Sequence, residues 1–110
     1  MKVITLCGST RFKKEFEEQN KRLTLEGNIV ISVGLFGHSG DVITDEQKKM
    51  LDEIHKRKID MSDEIFVINV GDYVGDSTFN EILYARSKNM PINYLEPTLQ
   101  DEGYIHQGSY

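Results

Sequence analysis

The stretch Gly8-Ser9-Thr10-Arg11 stands between an apolar run and a charged helical pattern, and its residue types suit the binding of an anion. Free backbone N–H groups and the helix dipole at such a junction attract negative charge. Gly8 permits a close backbone approach. Ser9 and Thr10 offer hydroxyl donors, and Arg11 can grip a phosphate with two N–H groups. The alternative is an ordinary helix cap, with Ser9 or Thr10 as the N-cap and Arg11 in solvent.

Glu81 is a carboxylate whose predicted position also suits chemistry. It lies in the first turn of a helix predicted from Thr78 to Lys88, after a loop that contains Gly75 and Ser77. A carboxylate in a crevice can act as a nucleophile or a base. The spacing also fits a capping box, in which Thr78 is the N-cap and Glu81 reaches back. Spacing alone favours the cap and leaves both interpretations open.

His55 is the histidine with the clearest chemical possibility. It lies near the border of the apolar face of a predicted helix, where it could donate or accept a proton near neutral pH. A partly buried surface histidine is the plainer interpretation, and the same holds for His38. His38, His55 and His106 lack metal-ligand spacing, and the single cysteine has no second thiol beside it. We therefore expect Cys7 to be a small core residue, and we predict neither a metal nor a cofactor.

Size and charge limit the possible classes of protein. The chain has 110 residues, which suits one domain with one core. No apolar run approaches the ~20 residues of a membrane span, so we expect no membrane partner. The net charge of -5 argues against a nucleic-acid polymer as partner, because non-specific binding needs a basic face. One cysteine permits no internal disulfide, and a cytoplasmic location is expected.

Short apolar runs alternate with amphipathic patterns along most of the chain. Strands are predicted at 2–7, 29–33, 64–69 and 92–95, and helices at 12–26, 45–59 and 78–88. The predicted second helix places Met50, Leu51 and Ile54 on one face. Three glycines within 34–41 predict an exposed loop. A single domain over 1–96 is therefore expected, followed by a polar tail over 97–110.

This alternation predicts an α/β fold of three layers with a mainly parallel sheet. Right-handed crossovers favour the strand order 2-1-3-4, as in flavodoxin-like or Rossmann-like sheets. The order then reverses between the first and third strands, and ligands bind at the carboxyl ends of such strands. The loops that contain Ser9 and Ser77 should therefore meet at one crevice.

The order of several motifs resembles the nucleoside 2-deoxyribosyltransferase superfamily, which includes the 2'-deoxynucleoside 5'-phosphate N-glycosidases. Its members open with a Gly-Ser-x-Arg turn, here at 8–11, and have an Asp before a Val/Ile-rich strand, here at 62–68. A Glu followed by an apolar pair and an Ala corresponds to 81–85. A Lys-x-x-Pro-Ile ending corresponds to 88–92. The similarity spans residues 2–95.

The resemblance implies roles for particular residues. Glu81 would be the nucleophile on the anomeric carbon of a sugar, and Ser9 and Arg11 would help to hold a 5'-phosphate. Gly75 and Ser77 would line the same site. A neighbouring subunit often completes such sites, so the resemblance also implies a homodimer or a larger homo-oligomer. The superfamily usually has an Asp eight residues before the position of Asp63, and His55 stands there instead.

The sequence thus predicts an N-glycosidase or deoxyribosyltransferase-like enzyme that cleaves the base–sugar bond of a nucleoside or nucleotide. Glu81 would stabilise an oxocarbenium-like centre by attacking the sugar, and His55 could protonate the leaving base if its imidazolium is populated. The histidine could instead mark a lost activity. The alternative is then a non-catalytic protein that senses or sequesters a nucleotide, with Glu81 gripping ribose hydroxyls or capping its helix.

Overall fold

The computed structural model describes residues 1–36 and 42–98. The strands are β1 (Val3–Gly8), β2 (Ile29–Ile31), β3 (Glu64–Ile68) and β4 (Ile92–Tyr94). The α-helices are α1 (Lys13–Leu25), α2 (Asp45–Asp60) and α3 (Asp76–Ser87), and short 3₁₀ turns at Thr10–Phe12 and Val70–Asp72 follow β1 and β3. His38 and His106, and the tail beyond residue 98, lie outside the described residues.

The four strands form one parallel sheet in the order β2-β1-β3-β4, which confirms the predicted topology. In the register between β1 and β3, Gly8 lies opposite Ile68. Both strands therefore end at the same level. The turns that follow them leave the sheet side by side at its carboxyl edge, where the reversal of strand order leaves room for a ligand.

Two apolar clusters lie on opposite faces of the sheet and give the fold its three layers. All five residues of β3 are buried, and their side chains alternate between the two faces. The cluster on one face contains Phe16 and Leu23 of α1. The cluster on the other face contains Ile59 of α2 and Ile82 of α3. Helix α1 therefore covers one face, and α2 and α3 cover the other.

Helix α2 departs from its predicted apolar face. Its buried residues are His55 and Ile59, whereas Met50 is 53% exposed and Ile54 is 41% exposed. The spacing of four between His55 and Ile59 directs both side chains to one side of the helix, toward the sheet. Met50 and Ile54 belong to neither core cluster, so the side of α2 that faces the core is not its apolar face.

Helix α3 begins two residues earlier than predicted. Gly75 is its N-cap and has no side-chain capping bond, and its carbonyl accepts from the N–H of Phe79 at 2.9 Å. Thr78 lies inside the first turn and is buried. The predicted capping box between Thr78 and Glu81 is therefore wrong, because the helix has already begun when the chain reaches Thr78.

Among the described residues, no helix is both long and apolar enough to cross a membrane.

The close approach of β1 to β3 yields a prediction for Gly8. A Cβ atom added at Gly8 would lie 2.9 Å from the carbonyl oxygen of Ile68 and 3.0 Å from its Cβ. Both atoms belong to the backbone or Cβ of the neighbouring strand, and not to the end of a flexible side chain, so they cannot move aside cheaply. We expect Gly8→Ala to lower the free energy of unfolding by about 1–3 kcal/mol, as overpacking does. Denaturant unfolding of the purified variant measures this.

Gly34→Ala is the matched control. A Cβ atom at Gly34 would meet no atom within 4 Å, so its stability should stay the same or rise slightly. Equal unfolding midpoints for the two variants would contradict the tight contact between Gly8 and Ile68.

Candidate functional site

A cavity of about 470 Å³ opens at the carboxyl ends of β1 and β3. Its walls come from the turn after β1, the loop before α3 and one side of α2. The cavity brings together all eight residues predicted for the site: Gly8, Ser9, Thr10, Arg11, His55, Gly75, Ser77 and Glu81. The reversal of strand order accounts for this meeting, because residues up to 73 positions apart in sequence share one sheet edge.

The turn after β1 forms one polar wall of the cavity. Ser9 Oγ accepts from the backbone N–H of Arg11 at 3.3 Å, so Ser9 caps the 3₁₀ turn while it lines the cavity. The Arg11 guanidinium lies 4.4 Å from the centre of the Tyr73 ring, and its Nη2 donates to the Tyr73 hydroxyl at 3.4 Å. Tyr73 therefore holds Arg11 at the cavity. Sequence reasoning missed Tyr73, since an aromatic residue in a glycine-bearing loop carries no specific signal.

The N-terminus of α3 forms the facing polar wall. Its first backbone N–H groups have no partner within the helix, and the helix dipole adds partial positive charge there. Ser77 Oγ accepts from Nζ of Lys48 at 3.0 Å, and Lys48 also pairs with Asp52 at 3.1 Å. Lys48 thus connects α2 to α3 beside the cavity. The sequence could not single it out, because a Lys–Asp pair four residues apart is typical of any solvated helix.

Three side chains, one each from β1, α2 and α3, meet at the cavity floor; those from α2 and α3 line the cavity, and the one from β1 lies behind them. Cys7 Sγ lies 3.4 Å from Nε2 of His55, and the same nitrogen lies 3.6 Å from Oε1 of Glu81. Cys7 is fully buried, and the side chains of His55 and Glu81 are 9% and 15% exposed. We call these three residues the floor cluster. Cys7 is a core residue, as predicted, but sequence spacing could not reveal its contact with His55.

Burial determines the charge state of the floor cluster. It raises the pKa of the Glu81 carboxyl to about 8, and the negative charge of Asp52 adds to this effect. It lowers the pKa of His55 to about 4, and the positive charge of Lys58 acts in the same direction. It also raises the pKa of the Cys7 thiol well above its usual value, with Glu81 adding to the shift.

Near neutral pH the floor cluster is therefore mainly uncharged. The predicted role of His55 requires an imidazolium that can give a proton to a leaving group, and this form is scarcely populated at rest. A neutral imidazole instead has one ring nitrogen that donates a hydrogen bond and one that accepts. The structure thus places His55 beside Glu81, but burial disfavours the protonated imidazole that the predicted role requires.

The side of the cavity formed by α2 and the end of β2 is largely apolar. Its apolar lining residues are Val33, Leu35, Ile43, Leu51 and Ile54. Leu51 and Ile54, which the sequence places on one face of α2, both line this wall. Lys58 lies at its edge and donates to the carbonyl of Ser32 at 2.8 Å, while burial lowers its pKa. The cavity therefore offers an apolar wall beside a polar end, which suits a ligand with a flat apolar part and a polar part.

Comparisons with known proteins give no match. No protein-family model matches the chain, and neither a curated protein nor a solved structure does. The resemblance to the nucleoside 2-deoxyribosyltransferase superfamily therefore rests on the motifs in the sequence and remains a prediction.

Burial of the floor cluster leads to a prediction for Cys7, the one cysteine in the chain. Its side chain has no exposed surface, so a thiol reagent such as 5,5'-dithiobis(2-nitrobenzoate) must wait for the protein to open. We expect labelling of the native protein to be at least about 100-fold slower than labelling in guanidinium chloride. Absorbance of the released thionitrobenzoate measures both rates. Native labelling as fast as that of the unfolded chain would contradict the buried position.

Proposed function

We propose that the protein cleaves the base–sugar bond of a nucleoside or nucleotide, as an N-glycosidase or a deoxyribosyltransferase, with Glu81 as the nucleophile. The observation that carries this proposal is the position of Glu81. Its carboxyl group lies at the floor of the cavity, between the polar walls and the apolar wall. No capping bond occupies it, because α3 begins at Asp76 and has Gly75 as its N-cap.

The two kinds of wall support a nucleoside or nucleotide as the ligand. A base can lie against the apolar side, which includes Leu51 and Ile54. Hydroxyl or phosphate oxygens can accept from Ser9, Arg11 and the N-terminus of α3. A cavity of about 470 Å³ is within the usual range of small-molecule sites. With the base and the phosphate at opposite ends, the sugar lies over Glu81.

The chemistry uses two steps at the anomeric carbon. An oxygen of ionised Glu81 forms a bond to that carbon while the bond to the base breaks, and the electron pair leaves with the base. The base must gain a proton as it leaves. Nε2 of His55 lies 3.6 Å from Oε1 of Glu81, so it would take up the carboxyl proton only transiently, against the order of the two resting pKa values, and return it to the base. Water then cleaves the glycosyl ester, or a second base attacks it and gives exchange.

The alternative is a non-catalytic protein that binds a nucleotide to sense or sequester it. Its support is that the floor cluster is self-contained, with Glu81 close to His55 and His55 close to Cys7. Binding requires only the walls of the cavity, whereas catalysis also requires that Glu81 give up its proton and ionise. The acidic composition supports a small molecule over a nucleic-acid polymer in either case. A homodimer or larger oligomer and a cytoplasmic location complete the proposal.

Base release separates these functions. Purified protein is incubated with ribonucleosides, deoxyribonucleosides and their 5'-monophosphates, and free base is measured by chromatography. We expect release from at least one of these substrates, with a rate at least about 10³-fold lower in Glu81→Gln, because a covalent nucleophile has been removed. Glu53→Gln is the matched control, since Glu53 is an exposed carboxylate on α2 outside the cavity and its loss should leave the rate unchanged.

Ligand-induced thermal stabilisation completes the test. If no substrate releases base but one of them raises the melting temperature of the wild-type protein, the protein binds rather than cleaves. Base release that persists in Glu81→Gln would contradict the assignment of the nucleophile. Neither release nor stabilisation with any ligand would contradict both functions.

A further inference from the structure

We propose that the floor cluster, Cys7, His55 and Glu81, binds a divalent transition-metal ion of the zinc type. This inference goes beyond the proposed function, because it assigns the cluster a second ligand. It shares Glu81 with the proposed function, so the ion and the sugar compete for the same carboxylate. A metal-bound Glu81 cannot attack an anomeric carbon, and the ion would therefore block base release.

Two of the three pairs of donor atoms already have the spacing that a tetrahedral metal ion requires. Among the described residues, Cys7, His55 and Glu81 are the group of three whose possible ligand atoms all lie within 4.8 Å of one another. Sγ lies 3.4 Å from Nε2, and Nε2 lies 3.6 Å from Oε1. Zinc bonds of about 2.3 Å to sulfur and about 2.0–2.1 Å to nitrogen and oxygen place tetrahedral donors roughly 3.3–3.6 Å apart. Only small side-chain movements would be needed.

The chemical types of the donors favour zinc over hard cations. Thiolate, imidazole and carboxylate are the three ligand types that zinc takes in proteins. Calcium and magnesium prefer sites made of oxygen alone. Three protein ligands leave a fourth position open. Because His55 and Glu81 line the cavity, an ion held by the cluster would be reached from the cavity.

The charge and rigidity of the cluster also suit an ion. One thiolate and one carboxylate offset the two positive charges of the ion, so the occupied site has no net charge in its buried surroundings. Each ligand comes from a different element of the fold. Cys7 lies in β1 opposite Val67 of β3, His55 lies in the middle of α2, and Glu81 lies in α3. The fold thus fixes the three positions before any ion binds.

Cobalt(II) is the probe for this site, because its absorption reports both the ligands and the geometry. The full chain is treated with a chelator, dialysed and titrated with Co²⁺. We expect one ion per chain, with a thiolate-to-cobalt band in the near ultraviolet and the intense visible bands of tetrahedral cobalt. Zn²⁺ should remove these bands by displacement, and Mg²⁺ should not.

Variants connect the spectrum to the cluster. Cys7→Ala should abolish the thiolate band. His55→Gln should weaken cobalt binding by at least about 10-fold, because losing even a residue that only hydrogen-bonds a metal ligand costs about 10–100-fold in affinity. Glu53→Gln is the control, because it removes an exposed carboxylate of α2 that lies outside the cavity. This variant should bind cobalt as the wild type does. Circular dichroism shows whether each variant is folded, and Cys7→Ser serves if Cys7→Ala does not fold.

The outcomes distinguish this inference from the proposed function. A thiolate band that disappears in Cys7→Ala supports the metal site, even if no substrate releases base. Absence of the band in the wild type, or equal binding in the wild type and His55→Gln, would overturn it. If the protein releases base and Zn²⁺ at saturating concentration leaves the rate unchanged, the competition is contradicted while the proposed function stands.

Discussion

The parallel pairing of β1 with β3 is the constraint on which the site depends. Because Gly8 lies opposite Ile68, the two strands end at the same level and their following turns meet. The side chain of Asn69, fully buried at the end of β3, holds the next turn in place. Its Nδ2 donates to Asp72 and to the carbonyl of Glu96, and its Oδ1 accepts from the N–H of Glu96. These hydrogen bonds therefore fix the position of the chain where it leaves β3 toward α3.

A second constraint is the cost of placing polar groups at the floor of the cavity. Buried polar side chains require partners, and here each member of the floor cluster has one in another member. The histidine at position 55 matters to this balance. A second carboxylate at that position would lie beside Glu81, and two like charges in a buried place repel strongly. An imidazole avoids this repulsion and can share a proton with the carboxyl group.

The order of elements and the sheet topology were predictable, because the strands stand out as short Val/Ile-rich runs between charged helices. The side of α2 that faces the core was not predictable, because Leu51 and Ile54 line a cavity while His55 is buried against the core. Periodicity cannot tell these two surroundings apart. The start of α3 was missed because the backbone of Gly75, and not a side chain, begins the helix.

The site was predictable in outline for a different reason. Topology alone placed the turns after β1 and β3 together, so all residues chosen there do line one cavity. The partners that modify their chemistry were not predictable. Cys7 is 48 positions from His55, and Tyr73 is 62 positions from Arg11. Contacts over such distances in sequence follow from packing, and no local pattern marks them.

Trapping of a covalent intermediate tests most directly whether Glu81 is the nucleophile. A nucleoside with fluorine at C2 of the sugar slows the second step, so the glycosyl ester accumulates and mass spectrometry can detect it. The expected result is one glycosyl group per chain, located on the peptide that contains Glu81 and absent from Glu81→Gln. Base release without any adduct, or an adduct on another residue, would contradict nucleophilic attack by Glu81.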